Sequence, residues 1–250
     1  MTEHDYFRQD LTGAQFRRTQ LNNARFQMVD LTGAKIRDSV LDGVELYGCE
    51  LDGLTIDGIE IAPLIKAELD RRQPARLLRR AEDPAGLREA WAAIELAWQP
   101  AYEQAAALPA GAVDEQVAGE WSFAETLRHL AFATDAWLGA VLGAEKPFHP
   151  WGKPFTEVAE FVDSVDDLGV DFDATPTYAE VLEIRQDRVG QVRNYLAGVT
   201  ADELAVEVVG PPWEHGAKLT RLRCLWVILN EELEHLRFAQ RDLAVLESRA

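Results

Sequence analysis

The sequence predicts a multidomain β + α protein, a short solenoid followed by a four-helix bundle, and three observations carry that prediction. Every fifth residue from Leu11 to Ile61 is Leu, Phe or Ile: Leu11, Phe16, Leu21, Phe26, Leu31, Ile36, Leu41, Leu46, Leu51, Ile56 and Ile61. All seven tryptophans lie at or after Trp91. From Pro84 onward the apolar residues recur with helical spacing in four stretches bounded by caps and prolines.

A period of five fits neither a helix nor a flat strand, so it points to internal repeats. The residue two before each anchor is mostly small (Ala14, Thr19, Ala24, Ala34, Ser39, Cys49). Gly or Asn often closes the unit, as at Gly13, Asn23, Gly33, Gly43, Gly48, Gly53 and Gly58. A large anchor, a small neighbour and a turn residue suit a square coil that turns at each repeat. Residues 4–63 thereby resemble the pentapeptide-repeat family, which implies a right-handed quadrilateral β-helix. The pattern stops at Ile61-Ala62-Pro63. Residues 64–83 follow as a charged, helix-prone segment interrupted at Pro74. This segment is expected to cap the solenoid or link it onward, since a β-helix end exposes unpaired backbone groups.

Residues 84–248 read as the bundle. Its first helix runs from Pro84 to about Leu108, with Leu87, Trp91, Ile94, Leu96, Trp98 and Tyr102 as its apolar residues, and ends at Pro109-Ala110-Gly111. Ser122 and Glu125 have the spacing of a capping box and open the second helix; Thr177 and Glu180 repeat that spacing ahead of the third, which runs to about Leu196. The fourth spans about Leu219 to Leu246, after Pro211-Pro212. Four amphipathic helices imply a four-helix bundle. The connection from Ala144 to Pro176 is too long for a hairpin, so the chain crosses the bundle there. This crossover is either a lid over one end of the bundle or an ordinary surface connection.

Composition narrows the function classes. A hydrophobic share of 47% and a mean hydropathy of −0.19 are those of a soluble globular protein. No apolar run approaches a membrane span, and the polar start MTEHDYFRQD does not read as a secretory signal. Cys49 and Cys224 are too few for a disulfide framework and read as small buried residues, consistent with a cytoplasmic protein. The net charge of −18 repels phosphate backbones, so no nucleic-acid partner is expected, nor a membrane.

The chain has five histidines, and two lie mid-helix. His235 follows Glu231 by four residues, so both project from one face of the fourth helix and can grip one ion. His129, in the second helix, would supply a third ligand across the bundle. Two imidazoles and a carboxylate with an open fourth position make a catalytic rather than a structural zinc arrangement. The competing reading of each histidine is a hydrogen-bonded core or rim residue. Glu125 reads as a helix cap, or as the acid of a second Glu-x-x-x-His pair. EELEH resembles a metalloprotease helix with Glu232 at the general-base position, but the first ligand histidine is replaced, which disfavours peptidase activity. Glu232 and Glu234 are expected to face solvent, or to partner a ligand imidazole. Arg237 and Arg241 are candidates for greeting an anionic substrate or cofactor at the bundle mouth, with complementing the helix dipole as the alternative. His215, in the 210–217 loop, and His149, in the crossover, are loop histidines that could line a site.

Trp121-Ser122 leading into the His129 helix, the long link after it and the late EHLRFAQRDL helix make residues 84–248 similar to the DinB/YfiT-like superfamily. The usual metal set there is a histidine in the second helix and His-x-x-x-His in the fourth. Glu231 stands at the first of that pair, which resembles the mycothiol-dependent maleylpyruvate isomerase branch. The resemblance implies a divalent metal at His129, Glu231 and His235, zinc first, with nickel or another ion as alternatives. It also implies a low-molecular-weight thiol and a small-molecule electrophile, joined by an S-transferase or isomerase reaction, with the crossover and the 210–217 loop shaping the pocket. The competing class is a non-enzymatic scaffold acting through the repeats. Some pentapeptide-repeat proteins are DNA mimics that bind topoisomerases, but fewer than three coils at about 4.8 Å each make a rod only about 13 Å tall. The segment also starts basic, with Arg8, Arg17, Arg18 and Arg25. An interaction surface, a homodimer contact or a stabilising cap are the remaining roles.

Overall fold

The computed structural model describes residues 6–249, so residues 4 and 5 of the expected repeat segment lie outside it. The chain divides into two compact units, one ending at Glu50 and one beginning at Leu51.

In the first unit the five-residue repeat appears as a recurring corner. Arg8, Gly13, Arg18, Asn23, Met28, Gly33, Asp38, Gly43 and Gly48 all have positive φ. The amides of Ala14, Ala24, Ala34 and Val44 donate to the carbonyls of Leu11, Leu21, Leu31 and Leu41, closing a tight turn at alternate repeats. A buried interior of the kind expected of a β-helix is not seen in this unit. The anchors stand in solvent, from 44% exposed at Leu11 to 67% at Ile36. Cys49, expected to be buried, is exposed as well. Such anchors are covered only when successive coils stack and pair their backbones, and turns alone supply neither.

The second unit opens with a short hairpin, β1 (Thr55–Ile56) and β2 (Ile59–Glu60). Asp57 and Gly58 both take positive φ between its strands, as a type I′ turn requires. The expected linking segment is α1 (Ala62–Arg72) followed by a 3-10 turn (Pro74–Leu78) that starts at the interrupting proline. Arg76, on that turn, buries its guanidinium between Asp70 and Glu234 of the last helix.

The four main helices are α2 (Pro84–Ala107), α3 (Phe123–Leu142), α4 (Tyr178–Gly198) and, after a one-turn α5 (Ala201–Leu204), α6 (Arg221–Arg249). Asp83 caps α2 by accepting from the amides of Ala85 and Gly86. The predicted capping boxes at Ser122–Glu125 and Thr177–Glu180 both form. A second hairpin, which the sequence pattern did not reveal, pairs β3 (Glu207–Val209) with β4 (Lys218–Thr220) and feeds straight into α6. Helix α3 packs against α6 and α4, and α2 closes the bundle against α6. The core between them is aliphatic and tryptophan-rich, with Leu87, Trp91, Trp98, Leu127, Leu225 and Leu229 almost fully buried.

The crossover is no loose connection. Its Val158, Leu168 and Val170 form a small second core on Phe132 of α3. Pro147 lies so close to α3 that a Cβ on Gly139 would come within 2.4 Å of it. Asp135 fixes the same stretch, accepting from the backbone amide of His149 at 2.7 Å and from Arg188 of α4 at 2.6 Å. Together these contacts hold the crossover along α3, beside the histidine that α3 carries.

Candidate metal centre

Helices α3 and α6 bring His129, Glu231 and His235 together, with one donor atom from each lying within 4.8 Å of the others. Nε2 of His129 is 3.5 Å from Glu231 Oε2, and Nε2 of His235 is 3.2 Å from the same oxygen. His129 is buried, while Glu231 and His235 are half-buried. Burial opposes ionisation of Glu231, yet the two histidines outweigh it and hold the carboxyl below its usual range. Burial likewise depresses His129, against the pull of Glu231, and favours the neutral imidazole.

The tautomer of His129 follows from its other ring nitrogen. Nδ1 lies 2.9 Å from the carbonyl oxygen of Lys153. A carbonyl only accepts, so Nδ1 carries the proton and Nε2 presents a lone pair to the Glu231 carboxylate. A proton on Nε2 or a bound cation would each relieve that contact. Ligand atoms about 2.0–2.1 Å from a tetrahedral ion sit about 3.3 Å apart. The distances of 3.2 and 3.5 Å bracket that spacing. The donor set therefore fits a divalent ion.

A supporting shell surrounds the three donors. The Lys153 amide donates to the Arg128 carbonyl at 3.2 Å, and Arg128 Nε donates to the Trp151 carbonyl at 2.9 Å. Lys153 Nζ reaches Glu125 at 2.8 Å, so Glu125 is both helix cap and anchor for the crossover. Trp121 packs its ring 4.5 Å from that of His129 and 6.0 Å from that of His235. Sequence spacing gave no sign that Lys153 orients His129, because the contact runs through a backbone carbonyl.

The other candidates fall elsewhere. Glu232, expected in solvent, is 1% exposed and pairs with Arg185 of α4, itself 2% exposed. One residue on from Glu231, it turns into the apolar core, where only a buried cation can neutralise it. Glu234 binds Arg76 and Arg237. Arg237 and Arg241 lie over the Phe238 ring, and Arg241 pairs with Asp242. His215 is exposed, at the left-handed turn between β3 and β4. His149 accepts at Nδ1 from the Trp151 amide.

A cavity of about 390 Å³ opens beside the three donors, and His129 and Glu231 form part of its wall. Phe155 and Phe161 of the crossover and Trp213 and Glu214 of the 210–217 loop line it, opposite Phe132 and Trp137 of α3.

The family model of the DinB superfamily matches residues 89–239. The chain belongs to the DinB superfamily. The family model described as pentapeptide repeats (8 copies) matches residues 8–38, ahead of the DinB domain. No curated protein and no solved structure matches the chain.

Proposed function

We propose that this DinB protein binds a divalent cation, zinc in the first instance, through His129, Glu231 and His235, and acts as a thiol-dependent S-transferase or isomerase. The observation that carries the reading is the convergence of three donors from α3 and α6 at the wall of an aromatic cavity. The cation would supply Lewis acidity, which shifts a thiol near pKa ~8.5 towards thiolate at neutral pH.

The chain's own residues do the rest. Lys153 holds the His129 tautomer, Glu231 offsets part of the ion's charge, and the crossover and Trp213 wall the cavity beside the donors. The thiol of mycothiol, bacillithiol or glutathione loses its proton to solvent, and its sulfur lone pair forms an S–C bond to the electrophile. The displaced pair leaves with the leaving group, or in an isomerisation the same thiol is eliminated again.

Elemental analysis after zinc loading tests the site. The wild type should hold one ion per chain, His235→Ala should lose it, and Glu231→His should keep it by restoring a three-histidine set. Stoichiometric metal in His235→Ala, or none in the wild type, overturns the reading. Titration of the loaded protein with the three thiols then tests the reaction class.

The repeat segment carries a separate proposal, favoured by its corner at every fifth residue. Residues 4–63 close into a quadrilateral β-helix when the anchors are covered, residues 64–83 link it to a bundle over 84–248, and the coil serves as an interaction surface or homodimer contact in the cytoplasm. No helix among the described residues is long and apolar enough to cross a membrane.

A further inference from the structure

We infer that the cavity beside the metal donors selects an uncharged, flat, aromatic or apolar electrophile and rejects small organic anions. The inference rests on the proposed function only in assigning the cavity to the reaction; the binding preference itself follows from the wall.

Five aromatic rings dominate that wall. Phe132 and Trp213 stack at 5.5 Å, and Phe155 meets the Trp213 ring edge-on at 5.4 Å. Phe161 stands at the mouth, 43% exposed. Such surfaces favour a flat apolar ligand, stacked or edge-on, through dispersion and loss of apolar area to water. The volume of about 390 Å³ lies at the small end of ligand pockets, enough for a compact ring system.

The charges decide what is excluded. Two carboxylates, Glu231 and Glu214, line the cavity, and among the described residues no lysine or arginine does. The nearby cations are engaged elsewhere: Lys153 with Glu125, Arg185 with Glu232, and Arg237 with Glu234. Arg237 and Arg241, the sequence candidates for an anion, instead flank Phe238. An organic carboxylate entering this wall would find neutral donors only, and would face two like charges. A bound divalent ion can itself take a carboxylate as a ligand, so the preference is a property of the wall alone. A dicarboxylate substrate, as the maleylpyruvate isomerase resemblance would imply, therefore does not suit this cavity.

Isothermal titration with three probes tests the inference on the full chain, stripped of metal by chelator so that no carboxylate can bind as a ligand. The probes are 2-naphthalenemethanol, 2-naphthoate and maleate. The neutral alcohol should bind at least tenfold more tightly than 2-naphthoate, with maleate undetectable. Phe161→Ala, at the rim, and Trp213→Ala should each weaken the alcohol severalfold. Glu214→Gln should improve 2-naphthoate severalfold relative to the alcohol. Equal or tighter binding of 2-naphthoate, or no binding of the alcohol, overturns the inference. Metal content measured on the same preparations after reloading with zinc reports separately on the three-donor site, so a failure of one is distinguishable from a failure of the other.

Discussion

Removing one partner of the buried Arg185–Glu232 pair should destabilise the bundle far more than removing both. Their side chains are 2% and 1% exposed, and Arg185 Nη2 meets Glu232 Oε2 at 2.5 Å. Burial pushes the Glu232 carboxyl up while Arg185 pulls it back. Arg185 Nε and Nη1 and Glu232 Oε1 make no hydrogen bond of good geometry, though Tyr102 and Trp98 lie close enough to favour the charged forms. Glu232→Leu leaves a guanidinium in an apolar core, and Arg185→Met leaves a carboxylate there. Each should cost about 3–5 kcal/mol. For a domain of this size that lowers Tm by about 6–20 °C, at about 2–4 °C per kcal/mol. The double variant removes both charges and fills the space with apolar volume. It also loses the stacking of Arg185 on Trp98, at 5.7 Å, which is worth up to about 2 kcal/mol. It should therefore sit within about 2 kcal/mol of wild type. Urea unfolding of the four proteins, followed by tryptophan fluorescence, gives the coupling energy as a double-mutant cycle. Additive losses, or single variants within about 1 kcal/mol of wild type, would refute a paired origin for the stability.

Four other outcomes follow from the same coordinates. Gly152→Ala places a Cβ 3.2 Å from both the His149 carbonyl and Phe132, so a neighbour must give by a few tenths of an ångström next to Lys153. Zinc affinity, read by competition with a chromogenic chelator, should fall about 10–100-fold, as when a ligand's outer partner is lost. Gly139→Ala drives a Cβ to 2.4 Å from Pro147 and should cost about 1–3 kcal/mol. Gly190→Ala, in α4 with nothing within 4 Å, should instead gain about 0.5–1 kcal/mol; calorimetry should show the opposite Tm shifts. Glu125 is held below its ordinary value of 4.5 by Lys153, Ser122 and Gln116, against the opposing effect of burial. A depressed carboxyl stabilises the fold above its unfolded pKa and loses that contribution as pH falls through its folded one. Glu125→Gln should thus be less stable than wild type at pH 7 and approach it as pH drops below 4.5, measured by thermal melts across pH.

The bundle was legible because its signals are local. Ser122–Glu125 and Thr177–Glu180 announce helix starts within four residues, and the i,i+4 spacing of Glu231 and His235 places two donors on one face whatever surrounds them. Glu232 was misread because polarity alone says solvent. Its burial depends on Arg185, on a different helix, and no spacing rule links the two. The β3–β4 hairpin escaped for a related reason: three-residue strands around Pro211-Pro212 and a His215-Gly216 turn show no alternation long enough to read. In the repeat segment the turn chemistry was legible, but whether anchors are buried is a property of stacked coils.

The crossover ties these parts together. Sequence reading treats a long link between helices as either lid or filler, yet here its backbone performs the one task that side-chain spacing cannot encode. The neutral His129 ring turns an Nε2 lone pair towards Glu231 because the Lys153 carbonyl accepts a hydrogen bond from Nδ1–H. That carbonyl is held in place by Arg128, the residue preceding the ligand, and by Glu125, which also caps the helix. The same stretch of chain then supplies Phe155 and Phe161 to the cavity wall. Donor tautomer and pocket shape are thus set by one docking event, the closure of the crossover onto α3. A change that loosens it should alter metal affinity and ligand preference together, even where no donor and no wall residue has been touched.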